Sequence, residues 1–366
     1  MTPLQQRHVR LRQRLAEIGV EGMLFTYLTS VRYLSGFTGS AAVLLILADS
    51  GHLVSDGRYG EQARLQVPDF QIHIDAGTRP GGSSGLLEFA RELGLMEPAH
   101  RLAFEADHVA VSSFNRWGEL FPEVHWVETA AVAAELAMIK DAEELAALGE
   151  AVRITDKVFE ALLDDIRPGA VERQVAARIS YLVKHHGGEA DSFEPIVASG
   201  WRGALPHARP SDKALERGDL VVLDFGARYG GYHADMTRTV CVSEATERQR
   251  EVYGTVLEAQ LRGIAAARAG TATADVDAAC RDYIKAKGFG DYFVHATGHG
   301  LGLEVHTPPR LSRQSGEVLA ENMAVTVEPG IYIPDWGGVR IEDDILVGPD
   351  GSAPLNKSTK ELLVLG

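Results

Sequence analysis

The sequence predicts two domains, a mixed α/β domain in the first third and a larger α+β domain after it, and three observations support this. At 366 residues the chain exceeds what one hydrophobic core usually serves. Strand-like and helix-like segments alternate up to about residue 130, as βα units do. The alanine-rich stretch AAVAAELAMIKDAEELAAL then changes character, and beyond it long helices give way to apolar, glycine-rich hairpins.

The first domain opens with an amphipathic helix over residues 4–18, followed by the strand GMLFTY and a short helix around VRYLSG. AAVLLILAD and GHLVSD read as a hairpin around Asp49, Ser50 and Gly51, and DGRYGEQARLQ as a helix capped by Asp56. GTRPGGSSG, residues 77–85, reads as a loop, LLEFARELG as a helix, RLAFEAD as a strand and VSSFNRWGELF as a helix. Asp141, with Glu144 three residues on, opens a long helix that Arg167-Pro168-Gly169 stops near Ile166. A helix over 171–186, a strand over 193–198 and helices over 245–268 and 273–287 complete the regular elements expected around the hairpins.

The formal net charge of −15 argues against a nucleic-acid partner, whose phosphates want a basic field. It suits a protein that commits carboxylates to cations. Cys241 and Cys280 are the only cysteines and lack CxxC spacing, which points to a reducing compartment. The start, MTPLQQRHVRLRQRLAEIGVEG, has no apolar signal core, and the longest apolar run, AAVLLILA at 41–48, is too short to span a bilayer. A soluble cytoplasmic protein with neither a nucleic-acid nor a membrane partner is expected.

Chemistry concentrates in three stretches. LDFGARYGGYHADMTRT, residues 223–239, is two apolar runs around a Gly230-Gly231 turn. With those glycines as the loop, Tyr229 faces Tyr232 and Asp224 faces Thr237. Asp235 shares a face with Thr237 and becomes the diagonal neighbour of Asp224, about 7–8 Å away between Cβ atoms. Aspartates near a hairpin ordinarily cap a turn or face water. Asp224 sits inside VVLDF instead, where a buried carboxylate is costly unless a cation or hydrogen bonds compensate it. HATGHGLGLEVH, residues 295–306, adds His295, His299 and His306 among glycines that allow close approach. Its GxGxG is not a dinucleotide fingerprint, because no helix follows. AVTVEPGIYIPDWGGVRIEDDILV, residues 324–347, is a second hairpin with Glu328 across from the region of Glu342. Two aspartates, a histidine and two glutamates make an oxygen-rich set able to hold two divalent ions.

At these residues the chain resembles the pita-bread metallopeptidases, the family of methionine aminopeptidase, aminopeptidase P and prolidase. The resemblance implies that Asp224, Asp235, His299, Glu328 and Glu342 hold two divalent metal ions, Mn2+, Co2+ or Zn2+. It covers roughly residues 138–366 and reaches ASGWRGALPHARPSDK, where His207 matches the family's substrate-side histidine, and MIKDAEELAAL, which looks like the start of the catalytic domain. VRYLSGFTGS and VSDGRYGEQA resemble the creatinase-type N-terminal domain of the proline-directed branch. The implied architecture is an α/β N-terminal domain of the creatinase/prolidase type over 1–131, a helical connector over 132–140 and an α+β pita-bread catalytic domain over 141–366. One departure stands out. His306-Thr307-Pro308-Pro309 replaces the usual His-Glu-x-Pro, so Thr307 stands where a glutamate would orient a neighbour.

The resemblance implies metal-dependent hydrolysis of Xaa-Pro bonds, with Glu328 as proton shuttle and His207 and His306 as donors to the substrate carbonyl. His295 would line the proline pocket, with Tyr332 and Arg340 close to the metals. Arg340 could pair with a metal-binding glutamate or take the C-terminal carboxylate of a dipeptide, and Tyr332 could equally pack the sheet. The expected substrates are proline-containing dipeptides or short peptides, with a dipeptidase favoured over an aminopeptidase and over a non-catalytic binding protein of the same fold. Homodimers are common in the family.

Overall fold

The computed structural model describes residues 1–77, 82–97 and 99–366, which form two compact units, Met1–Ala137 and Met138–Gly366. In the first, strands β1 (Gly22–Phe25), β2 (Ala42–Leu47), β3 (Gly51–Asp56), β4 (Gln71–Asp75), β5 (Arg101–Glu105) and β6 (His125–Thr129) form one sheet in the order β4-β3-β2-β1-β5-β6. The β2/β3 pair is the antiparallel hairpin expected from the Asp49-Ser50-Gly51 turn, while β3/β4, β1/β5 and β5/β6 run parallel. The unit also holds helices α1 (Pro3–Ile18), α2 (Leu28–Ser35), α3 (Gly60–Gln66), α4 (Ser83–Glu92) and α5 (Val111–Leu120), and AVLLIL is buried almost throughout, with Val43 and Leu45 sharing a core with Leu86, Leu87 and Ala90 of α4 and Trp117 and Leu120 of α5.

Two expectations for this unit need correction. QIHID and HWVET are edge strands that the pattern did not separate from their neighbours. The loop expected over 77–85 ends earlier, because α4 begins at Ser83 and buries Gly85, Leu86 and Leu87. Packing of that face overrides the poor helix propensity of Ser-Ser-Gly. Residues 78–81 of the expected loop lie outside the described residues.

A short helix α6 (Val132–Met138) precedes α7 (Ala142–Leu162), whose capping box joins Asp141 and Glu144 reciprocally as the sequence predicts. α7 and α8 (Glu172–His185) pack through Ile154, Val158, Ile179 and Val183 on one sheet of the second unit. That sheet contains β8 (Ile196–Ser199), β9 (Leu220–Phe225) and β12 (Met236–Val242), while β7 (Ala190–Asp191), β10 (Ala227–Tyr229) and β11 (Tyr232–His233) form a small sheet beside it. The strand expected over 193–198 starts only at Ile196. Helices α9 (Glu247–Ala266) and α10 (Thr273–Ala286) cover a second sheet with β13 (Gly298–Gly300), β14 (Thr307–Leu311), β15 (Ala324–Val327) and β18 (Asp343–Val347), and β16 (Gly330–Ile333) pairs with β17 (Gly337–Arg340).

Both hairpins keep one register across an interruption. Tyr229 faces Tyr232 and Asp224 faces Thr237, as the glycine turn predicts, so the pairing continues in step past Gly226. In the second hairpin Val327 faces Asp343 and Gly330 faces Arg340, which leaves Glu328 and Glu342 opposite one another in the gap. Arg238, 1 % exposed, laces the two hairpins together, its guanidinium donating to Asp343 Oδ1 at 2.7 Å and to the Glu342 carbonyl at 2.5 Å. At Gly226 a Cβ would lie 1.7 Å from the Ala234 carbonyl oxygen, so no side chain fits there. Gly226→Ala is expected to destabilise the chain by at least about 2 kcal/mol, as overpacking does. A urea-denaturation midpoint unchanged by that substitution would contradict this reading of the register.

Candidate metal centre

The first hairpin delivers Asp224 and Asp235 to one face, both buried, and the second delivers Glu328 and Glu342 from its gap. His299 arrives on β13 between two glycines that admit no side chain. A Cβ on Gly298 would lie 2.0 Å from the Thr326 carbonyl oxygen, and one on Gly300 2.1 Å from that of Pro308. The His299 ring is oriented by its own strand, since Nδ1–H donates to the Gly300 carbonyl at 3.0 Å. That fixes the proton on Nδ1 and leaves the Nε2 lone pair facing Asp235 Oδ2 at 3.7 Å and Glu328 Oε1 at 3.6 Å. Ligand atoms of Asp235, His299 and Glu342 all lie within 4.8 Å of one another.

Electrostatics make this arrangement unfavourable for the protein alone. Burial raises the carboxyl of Asp235 well above its usual range, and the charges of Glu342 and Asp224 push it further. Burial and then Glu328 and Asp224 do the same to Glu342. Glu328 is raised to about 8 by burial, with Arg340 opposing and Asp224 adding. Burial and then His306 lower His299 to about 4, so its imidazole is neutral and brings no proton to bridge the carboxylates. Asp224 Oδ1 is buried and has no hydrogen-bond partner among the described residues. The donors that converge here are carboxylate oxygens and one imidazole nitrogen, a set that fits hard or borderline divalent cations.

The surrounding side chains hold this set in place. Arg340 is 3 % exposed and commits its guanidinium to Asp224 Oδ2 at 2.5 Å, Thr237 Oγ1 at 2.9 Å, Tyr332 Oη at 2.7 Å and the Pro206 carbonyl at 3.3 Å. Its ion pair among the described residues is thus with Asp224, not with a glutamate. The Thr237 hydroxyl relays the contact by donating to Glu342 Oε2 at 2.6 Å. Tyr332 is 4 % exposed, and its hydroxyl donates to His295 Nε2 at 2.8 Å while His295 Nδ1–H donates to the Ala296 carbonyl at 2.7 Å. Both ring nitrogens of His295 are therefore occupied. Its segment is clamped from α10, where Arg281 pairs with buried Asp277 and donates to the carbonyls of Phe293 at 2.8 Å and His295 at 2.6 Å.

A cavity of about 500 Å³ lies against this assembly, with His207, His295, His299, His306, Glu328 and Arg340 in its wall. A second cavity of about 280 Å³ shares His207 and His306 with it and reaches Asp224 and Asp235. The structure thus brings together all ten side chains singled out from the sequence, with Tyr332 behind the cavity wall and His207 and His306 exposed. Sequence reasoning missed the hydroxyl of Thr237, although its shared face with Asp235 was readable. It also missed Arg310, which lines the cavity, and the Asp277–Arg281 pair, whose i,i+4 spacing was visible but whose burial was not.

Comparison with known proteins places these features in a family. Residues 146–349 match the profile of metallopeptidase family M24, and residues 7–139 that of the creatinase/prolidase N-terminal domain. A solved structure of an Xaa-Pro dipeptidase from Bacillus anthracis superimposes with a TM-score of 0.94 at 42 % identity, covering 99 % of this chain and 100 % of that one. An X-Pro aminopeptidase from Thermotoga maritima gives 0.88 at 34 %, covering 95 % and 99 %. The Xaa-Pro dipeptidase of Pyrococcus furiosus is 40 % identical over 313 residues, 86 % of this chain and 89 % of that one.

Two expected outcomes follow from the electrostatics. The raised carboxyls hold protons in the folded, metal-free chain that the unfolded chain has released, so metal-free stability falls as pH rises toward the value of about 8 at Glu328. Above that, Lys140, lowered by burial to about 8 against the pull of Glu144, acts with the opposite sign. Below about pH 6.5 the lowered histidines also oppose it. Calorimetry of chelator-treated protein should therefore show a melting temperature that drops between about pH 6.5 and about pH 8; a rise across that window would contradict the carboxylate assignment. Thr237→Val, which cuts the relay from Arg340 to Glu342, is expected to weaken divalent-ion binding about ten- to hundredfold, and unchanged affinity would count against the relay.

Proposed function

The chain belongs to metallopeptidase family M24 and carries a creatinase/prolidase N-terminal domain ahead of a pita-bread catalytic domain, and on that footing we propose that it is an Xaa-Pro dipeptidase that works with two divalent cations. Asp224, Asp235, His299, Glu328 and Glu342 would hold them. The observation that carries the reading is the neutral His299 ring with its Nε2 aimed at Asp235 and Glu328 inside a cluster of buried carboxyls. Cations bound there supply a lowered pKa for an attacking water and polarisation of the scissile carbonyl. An oxygen-rich set favours manganese by hardness, with cobalt and zinc as the competing ions.

The chain's own groups account for the rest. Glu328 takes the proton of the attacking water on a carboxylate oxygen and delivers it to the proline nitrogen as the C–N bond breaks. His207 and His306, both facing the cavity, donate N–H groups to the carbonyl oxygen as it gains charge. His295 has no free ring N–H, so it offers the substrate a neutral ring face, which suits the apolar proline ring. Its pKa, lowered to about 3 by burial and then by Arg340, keeps it neutral. Thr307 turns its hydroxyl to the Pro308 carbonyl at 3.2 Å, so His306 works without the usual glutamate beside it.

Relatives named as Xaa-Pro dipeptidases support the dipeptide reading. So does Arg310, whose side chain lines the cavity and makes no ion pair among the described residues, leaving it free for a terminal carboxylate. The second reading, an aminopeptidase acting on longer peptides, is favoured by one feature. Through His295, Ala296, Arg310 and Glu317 the cavity continues into another of about 700 Å³, with room for residues beyond proline. A cytoplasmic setting belongs to the same proposal, supported by two buried, unpaired cysteines and by the absence, among the described residues, of any helix long and apolar enough to cross a membrane. A homodimer is proposed on the family resemblance alone.

Assay of an Xaa-Pro dipeptide beside an Xaa-Pro-Xaa tripeptide separates the two readings: rapid cleavage of the tripeptide alone would exclude the dipeptidase. Activity lost on chelation is expected to return with manganese, and Asp235→Ala should lower kcat/KM by at least about a hundredfold while the far-UV spectrum is unchanged. Full activity in that variant would contradict the assigned site.

A further inference from the structure

His207 is exposed, lines both cavities and makes no hydrogen bond among the described residues. Its position is set only by its backbone, a segment over 200–210 whose regular structure is a single 3-10 turn, Gly200–Ala204. Such a segment needs something to fix it. One side chain does so from both ends. Glu172, the first residue of α8, is fully buried, and its Oε1 accepts from the Ser199 amide and hydroxyl, both at 2.8 Å. Its Oε2 accepts from Arg202 Nε at 3.0 Å, the Ser211 amide at 3.0 Å and the Ser211 hydroxyl at 2.7 Å. Arg202 ties the segment further by donating from Nη2 to the Arg209 carbonyl at 2.6 Å.

All five donors to this carboxylate come from residues that bracket His207, and none comes from the metal-side cluster. Because Glu172 is fully buried, any arrangement that withdrew these donors would leave its charge uncompensated, so the contacts select one geometry more than they add net stability. The geometry selected here is that of the segment presenting His207. We infer that Glu172 is a positioning residue for the peptidase reaction and acts on the substrate only through His207, an inference that rests on the role proposed for His207 above.

A double-mutant cycle on the full-length, manganese-loaded protein tests this. Glu172→Gln keeps the volume but turns an amide N–H2 toward N–H and O–H donors and removes the charge opposite Arg202. With an Xaa-Pro dipeptide it is expected to lower kcat/KM about ten- to hundredfold, chiefly in kcat, at unchanged metal content. On a His207→Ala background the same change should cost less than about twofold. Equal losses on the two backgrounds, or no loss on the first, would overturn the inference. Should Glu172→Gln fail to fold, Ser211→Ala removes one donor of the five and should give a smaller loss that again disappears without His207. If His207→Ala alone left kcat/KM intact, the reading of His207 would fall and the inference with it. Losses from both single changes that merely add would remove only the inference.

Discussion

Mutual repulsion among carboxylates drawn out of water is the constraint around which the second unit is organised. Asp224, Asp235, Glu328 and Glu342 face one another largely out of water, and burial together with neighbouring charges raises the affinity of Asp235, Glu328 and Glu342 for protons. Left to relax, such a set would separate or protonate. It is held because each carboxylate is fixed through its backbone by a hairpin whose register a glycine turn or gap defines, and because Arg340 and Arg238 fasten the hairpins to each other. The repulsion this leaves in the metal-free chain is what divalent cations bound among these groups would relieve.

The two halves of the unit solve one problem in similar ways. In each, a helix pair packs on a sheet, a hairpin with an in-step interruption presents two acids, and a buried carboxylate on the second helix clamps an irregular segment that carries a histidine. Glu172 grips the segment of His207, and Asp277, through Arg281, grips that of His295. Hairpins thus fix the four carboxylates, and buried carboxylates tie down the segments that carry His207 and His295.

Much of this was legible in the sequence where a local rule applies. Gly230-Gly231 determines the register that pairs Asp224 with Thr237, and period-two alternation then brings Asp235 to the same face. Asp141 and Glu144 declare their capping box. The glutamates of VTVEPG and VRIEDD could be placed across from one another because their hairpin carries one register through its gap. What could not be read depends on long-range packing. Nothing local says that Glu172 meets Ser199 and Ser211, that Arg340 takes Asp224 rather than a glutamate, or that Tyr332 is consumed between Arg340 and His295. Ser83 and Ser84 enter a helix for the same reason, since the buried face that follows them outweighs their propensity.

If the four carboxylates and His299 bind a pair of cations, as proposed, isothermal titration of Mn2+ into chelator-stripped, folded protein saturates at two ions per chain. Saturation at fewer than two, or no binding by a chain that circular dichroism shows to be folded, would contradict that proposal.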